Sequence, residues 1–191
     1  MNYIVKPAAT LFITAAVTIA ALSVVYERTL QPIERQRQRT QEAAMSAVLP
    51  QASGFRELTA QTSGSITAIF EGLRAGELIG YVVELSPVGY SGNIDMVVGI
   101  CALDEKITGM RILRHSETPG LGALAAREAF YRRFDGRPLV PLTVVRYATG
   151  EHEISAITSS TITTRAITNA VNEVVAWFKS TGKQFEGRGG Q

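Results

Sequence analysis

The chain is poor in the residues that hold metals and disulfides. Of 191 residues one is cysteine and two are histidine. A single thiol, Cys101, excludes an internal disulfide and any multi-cysteine zinc or iron–sulfur centre built by this chain alone, and reads as a small buried hydrophobe. His115 and His152 lie too far apart in sequence for the close pairing usual in histidine metal sites. Charge of one sign is also scarce. A formal net charge of +2 offers neither a basic face for nucleic acid nor an acidic solvated tail. There is length for one short extra segment and one domain of ordinary size, and not for two large domains.

Long hydrophobic runs are absent except for one. Ala8 to Tyr26 carries no charged residue, and at about 1.5 Å per residue it just spans a hydrocarbon core near 30 Å thick. It reads as a transmembrane anchor over residues 1–27, with a cleaved signal peptide as the alternative. Lys6 stands on one side of it and Arg28, Arg35, Arg37 and Arg39 on the other. That bias taken literally puts the following domain in the cytoplasm, but the rule is weak for long translocated domains and leaves orientation open. Residues 28–54 read as a stalk and linker: a charge-mixed helix from Ile33 to Val48, stopped at Pro50, then Gln51 to Gly54.

Beyond the stalk the period changes to two. Ile66, Ala68 and Phe70 alternate, then Ile79, Tyr81, Val83 and Leu85, then Ile94, Met96, Val98 and Ile100, with a fourth strand over Ile107 to Leu113. Turn residues at Pro87 to Asn93 and Asp104 to Lys106 separate them. Half-buried antiparallel strands in a meander are expected. Next, a helix with Ala123, Ala126, Phe130 and Phe134 on one face ends near Asp135 to Pro138. A strand over Leu139 to Arg146 follows, and then a long helix burying Ile167, Ala170, Val171, Val174 and Phe178. The fold class is α+β, an antiparallel sheet with helices packed on it behind one N-terminal transmembrane helix. The domain should run over 55–184 and leave a disordered tail at 185–191.

Two segments suggest chemistry. Thr158-Ser159-Ser160-Thr161-Ile162-Thr163-Thr164 places six hydroxyls in seven residues at the start of the last helix. Helix capping explains one of them. An anion site, where free N–H groups and the helix dipole favour a phosphate, explains more. The other segment is His115-Ser116-Glu117-Thr118-Pro119-Gly120-Leu121-Gly122-Ala123, between a strand and a helix, where glycine lets backbone approach a flat ligand. Its Gly120-x-Gly122-x-x-Ala125 matches a dinucleotide fingerprint loosely. Antiparallel neighbours and the lack of a βαβ unit argue against that reading. A tight turn with Glu117 as a surface charge is the plain alternative.

In this order, behind an N-terminal anchor, the two segments resemble the FMN-binding domain of the Rnf complex G subunit, which the C subunit of the sodium-pumping NADH:quinone reductase shares. The family's motif, roughly Asp-x-x-Ser/Thr-Gly-Ala-Thr, falls on Ser155 to Thr161. Ser155, Ser159 and Ser160 stand where the motif has Asp, Gly and Ala. Ile162 to Ile167, Glu117 to Gly122 and Gly89-Tyr90-Ser91-Gly92-Asn93-Ile94 continue the likeness. The resemblance implies FMN held covalently by a phosphoester to Thr161, installed by a flavin transferase, with Thr163 as the next candidate hydroxyl. It places Ser159, Ser160, Thr163 and Thr164 at the phosphate end, and Glu117, Thr118, Gly120, Leu121, Gly122 and Tyr90 around the ring. It further implies an electron-relaying subunit, not catalytic alone, of an ion-translocating ferredoxin:NAD oxidoreductase, with membrane and iron–sulfur subunits as partners. The flavin domain would face outward from the cell (inner) membrane. The alternatives are the C subunit of the quinone reductase and a flavin-free anchored interaction module.

Overall fold

The structure, a computed structural model, describes residues 2–59 and 63–182. The tail expected at 185–191 lies outside them. The chain divides into two compact units, 1–41 and 42–191.

The first unit is helical. Helix α1 runs Asn2–Val48 without interruption, past Pro7 and Pro32, so the anchor and the stalk expected as separate helices form one. Each proline removes one N–H from the ladder. From residue 5 to 40 its side chains are exposed, including Phe12, Val17, Leu22 and Val25. It is one helix long and apolar enough to cross a membrane. Thr10, Thr14, Thr18 and Thr29 return their hydroxyls to carbonyls three or four residues earlier, which satisfies those donors within the helix itself.

The second unit is built on a five-stranded antiparallel meander of β1 (Gly54–Glu57), β2 (Ile66–Arg74), β3 (Glu77–Leu85), β4 (Ile94–Cys101) and β5 (Lys106–His115), in that spatial order. The four expected strands are present; β1 is additional. One face carries the main core, in which Tyr81, Val83, Met96, Val98 and Met110 meet Ile167, Val171 and Val174 of helix α3 (Thr161–Trp177). Tyr81 packs edge-on against Trp177 at 5.3 Å. The other face is covered over its centre as well, so β3 and β4 are buried on both sides rather than half-buried as expected. Met45, Val48 and Leu49, from the last turn of α1 and just beyond it, pack on Ile79, Val82 and Val97. Thr108 donates its hydroxyl to the Val48 carbonyl, giving a helix-end acceptor a partner.

The segment between β5 and α3 departs further from expectation. A 3₁₀ turn (Gly122–Ala126), α2 (Glu128–Tyr131) and a second 3₁₀ turn (Arg132–Phe134) replace one helix. Arg127, extended at φ −83 and ψ 148, breaks the run. The break changes the phase, so Ala125 rather than Ala126 is buried beside Phe130 and Phe134. The strand expected over Leu139 to Arg146 shrinks to β6 (Thr143–Val145), since Pro138 and Pro141 cannot donate to a ladder. It pairs in parallel with β7 (Glu153–Ser155), the one parallel pair among the described residues. Asn172 of α3 takes the Leu142 N–H at 2.7 Å and donates to its carbonyl at 2.9 Å, fastening this small sheet to the long helix.

Candidate functional site

Where β5 ends, the chain turns back across the start of α3, and an open cleft of about 430 Å³ forms between them. It is lined by Tyr90, Glu117, Thr118, Leu121, Gly122, Ser159, Ser160, Thr161, Ile162 and Thr163. Residues from three segments, 90, 117–122 and 159–163, read separately in the sequence, thus line one cleft. Gly120 and Thr164 are not among the lining residues. Gly120 supplies a left-handed turn at φ 78. Thr164 is fully buried and braces the loop before α3, accepting from the Ile157 N–H at 3.1 Å and donating to the Ser160 carbonyl at 3.0 Å.

The hydroxyls at the helix start divide into two sets. Thr161, first residue of α3, is exposed, as is Ser159, whereas Ser160 and Thr163 are buried. Ser160 is the N-cap residue, yet its side chain accepts none of the first-turn N–H groups. It donates instead to Thr163 Oγ1 at 2.9 Å, and Thr163 donates to Glu117 Oε2 at 2.6 Å. Capping therefore does not account for the cluster, and the helix start keeps its positive end toward the cleft. Thr163, the second candidate for attachment, is engaged and fully buried.

Glu117 is not a surface charge: it is 5 % exposed. Its Oε1 accepts from the backbone N–H of Tyr90 at 2.8 Å and of Ser91 at 2.9 Å. Burial pushes its carboxyl upward, but the Ser91 N–H, the Thr163 hydroxyl, the Tyr90 N–H and the charge of His115 together outweigh that and hold it below the usual carboxylate range. Two glycines make room for it. A Cβ at Gly89 would meet Oε1, and one at Gly122 would meet Oε2.

Ile162, part of the family likeness but given no site role from the sequence, lines the cleft at 56 % exposure. A large apolar side chain left exposed in the first turn of an otherwise amphipathic helix was the available signal. With Leu121 and Tyr90, also exposed, it gives the cleft an apolar rim above a hydroxyl-lined end. A flat apolar ring carrying a phosphate fits that division, and the volume lies within the range of cofactor pockets. No group of three or more His, Cys, Asp and Glu suited to a metal occurs among the described residues.

Comparison with known proteins agrees with this geometry. Residues 89–176 match the FMN-binding domain family, and residues 1–48 match the RnfG N-terminal region. The G subunit of an ion-translocating oxidoreductase complex from Methanosarcina acetivorans is 30 % identical over 90 % of this chain and 93 % of its own length. The G subunit of the Na(+)-translocating ferredoxin:NAD(+) oxidoreductase complex from Acetobacterium woodii is 34 % identical over 91 % and 90 %. Among solved structures, the C subunit of the Na(+)-translocating NADH-quinone reductase from Parabacteroides distasonis shares the fold, with a TM-score of 0.59 at 16 % identity over 78 % of this chain and 96 % of that one. A cleft that joins three separated motifs, the match to an FMN-binding domain and likeness to these relatives along nearly the whole length together establish that the chain belongs to the family of Rnf complex G subunits.

Proposed function

We propose that this chain is a membrane-anchored electron-relaying flavoprotein subunit of an ion-translocating ferredoxin:NAD oxidoreductase, and that it carries FMN as a phosphoester on Thr161. One observation carries the attachment site. Of the hydroxyls lining the cleft from α3, Thr161 is exposed at the uncapped helix start while Thr163 is buried and committed to Glu117. A phosphate at that position meets first-turn N–H groups and the positive end of a 17-residue helix. Ser159 and Thr161 would border the phosphate, with Ser160, Thr163 and Thr164 behind them. Thr118, Leu121, Gly122, Tyr90 and Ile162 would flank the ring, with Gly120 shaping the turn between them. FMN held there supplies one- and two-electron chemistry, while the chain supplies position and electrostatics. The subunit passes electrons on and catalyses no reaction alone.

The apolar helix α1 supports an anchor that keeps the flavin near membrane and iron–sulfur partners; the outer face of the cell membrane as the domain's side rests on the resemblance to the Rnf G subunit alone. Likeness at 30–34 % identity along nearly the whole chain favours the ferredoxin:NAD complex over the quinone reductase, whose C subunit shares the fold at 16 %. The departures from the family motif do not remove the acceptor: Ser159 is exposed and Ser160 fits within the buried chain of hydroxyls. The test is coexpression of the full chain with a flavin transferase, acid denaturation and in-gel flavin fluorescence. Wild type should fluoresce and Thr161→Ala should not. Fluorescence retained by Thr161→Ala sinks the attachment site; a dark wild type favours the flavin-free module.

A further inference from the structure

We propose that Glu117 is the positioning residue of this site: it holds the turn bearing Thr161 in its reactive geometry through Thr163 and Ser160. The inference rests on attachment at Thr161 and adds the device that presents the acceptor. Both Glu117 oxygens are engaged, each with a different segment. Oε1 binds the Tyr90 and Ser91 N–H groups of the β3–β4 loop, and Oε2 takes the Thr163 hydroxyl. Because Thr163 donates its proton to the carboxylate, its lone pairs are free to receive the Ser160 hydroxyl, and the two hydroxyl donors, Ser160 and Thr163, both point toward Glu117. That order requires an ionised carboxylate at its end, which the backbone donors also favour.

Two glycines from different motifs, Gly89 and Gly122, lack the Cβ that would collide with this carboxylate. Both are accounted for by one buried group. The turn itself needs holding: Ser159 lies in the left-handed region at φ 64, which an L side chain disfavours. Thr164 braces the turn from within, between Ile157 and Ser160. Glu117 braces it from without, through Thr163.

In the transfer, Thr161 Oγ forms a bond to the flavin phosphorus of a flavin phosphoanhydride donor. The anhydride P–O bond breaks, the nucleotide phosphate leaves with the electron pair, and the hydroxyl proton passes to the transferase or to water. No electron is gained or lost by the chain. Glu117 takes no part in these bonds. It reduces what must be ordered when the acceptor meets the transferase.

Glu117→Gln is diagnostic because the amide keeps the shape but has a single acceptor oxygen. It serves either Thr163, which sets the NH₂ against the Tyr90 and Ser91 N–H groups, or those N–H groups, which leaves the NH₂ to donate to Thr163 and reverse the hydroxyl order without a charge. The full chain in membranes, coexpressed with a flavin transferase, is assayed for the rate of covalent flavin incorporation, with thermal unfolding in detergent measured in parallel. Glu117→Gln should slow labelling about tenfold, the loss expected for one charge-assisted hydrogen bond. Thr163→Val should slow it similarly, the double variant should be no slower than the worse single variant, and Thr163→Ser should restore the rate. Labelling of Glu117→Gln at the wild-type rate overturns the proposal, as does additivity of the two changes. Should Glu117→Gln fail to fold, wild-type labelling in Thr163→Val, or no rescue by Thr163→Ser, overturns it equally. An unlabelled wild type removes the attachment at Thr161 and this inference together, whereas a labelled wild type with indifferent variants removes this inference alone.

Discussion

Ser159 sits at φ 64, two residues before Thr161, in a conformation that costs a non-glycine residue roughly 1–2 kcal/mol. The family motif has glycine at this position, and the backbone explains the preference. Ser159→Gly should raise the unfolding free energy by roughly 0.5–1 kcal/mol once the added chain entropy of glycine is set against the relieved strain, as read by the denaturant midpoint. Glu117 has a pH signature. Its carboxyl is held low in the folded state, so the stability it contributes is fully present above the ordinary carboxylate range and is lost as pH falls through its folded value. Acid unfolding of the wild type should therefore steepen below about pH 4, where unfolded glutamates begin to bind protons. Glu117→Gln should show a shallower dependence in the same titration, starting from a lower stability at neutral pH.

The end of α1 is as much a part of the domain's packing as of the stalk. Leu49 is 1 % exposed in the cluster that covers the outer face of the sheet, so Leu49→Ala should cost about 2–5 kcal/mol, measured as a lowered unfolding midpoint of the full chain in detergent. The sequence carried a hint of this cover. Tyr81-Val82-Val83 and Met96-Val97-Val98 are apolar at adjacent positions, which a strand with one wet face does not need. The positions of β2 to β5 and of α3 were legible because their periods are strong, whereas β1 and β7, at four and three residues, are too short to show one. The segment from Gly122 to Val145 was not, because Arg127 turns extended and Pro138 and Pro141 interrupt pairing, and no period survives such breaks. At the site, the three motifs were legible one by one. That Glu117 joins them was not, since nothing in a sequence places residue 117 against residues 90, 91 and 163.

At the scale of the whole molecule, one apolar helix and one flavin-domain fold sit in a single chain related along nearly its whole length to G subunits of ion-translocating complexes. The proposed anchor and tethered cofactor would suit a relay, since an anchored domain carrying its cofactor stays at high local concentration beside its partners. Removing residues 1–27 should release the protein from the membrane fraction on cell breakage, as followed by immunoblot; retention in the membrane would contradict an anchoring role for α1. The ester on Thr161 is the centre of the proposed function, and peptide mapping tests it most directly. Trypsin releases Tyr147–Arg165 as one peptide holding the whole hydroxyl cluster. After coexpression with a flavin transferase, this peptide should carry the mass of one FMN less one water, and fragmentation should place it on Thr161. An adduct on Thr158 or Thr163, or an unmodified peptide from fully flavin-exposed protein, would contradict the claim.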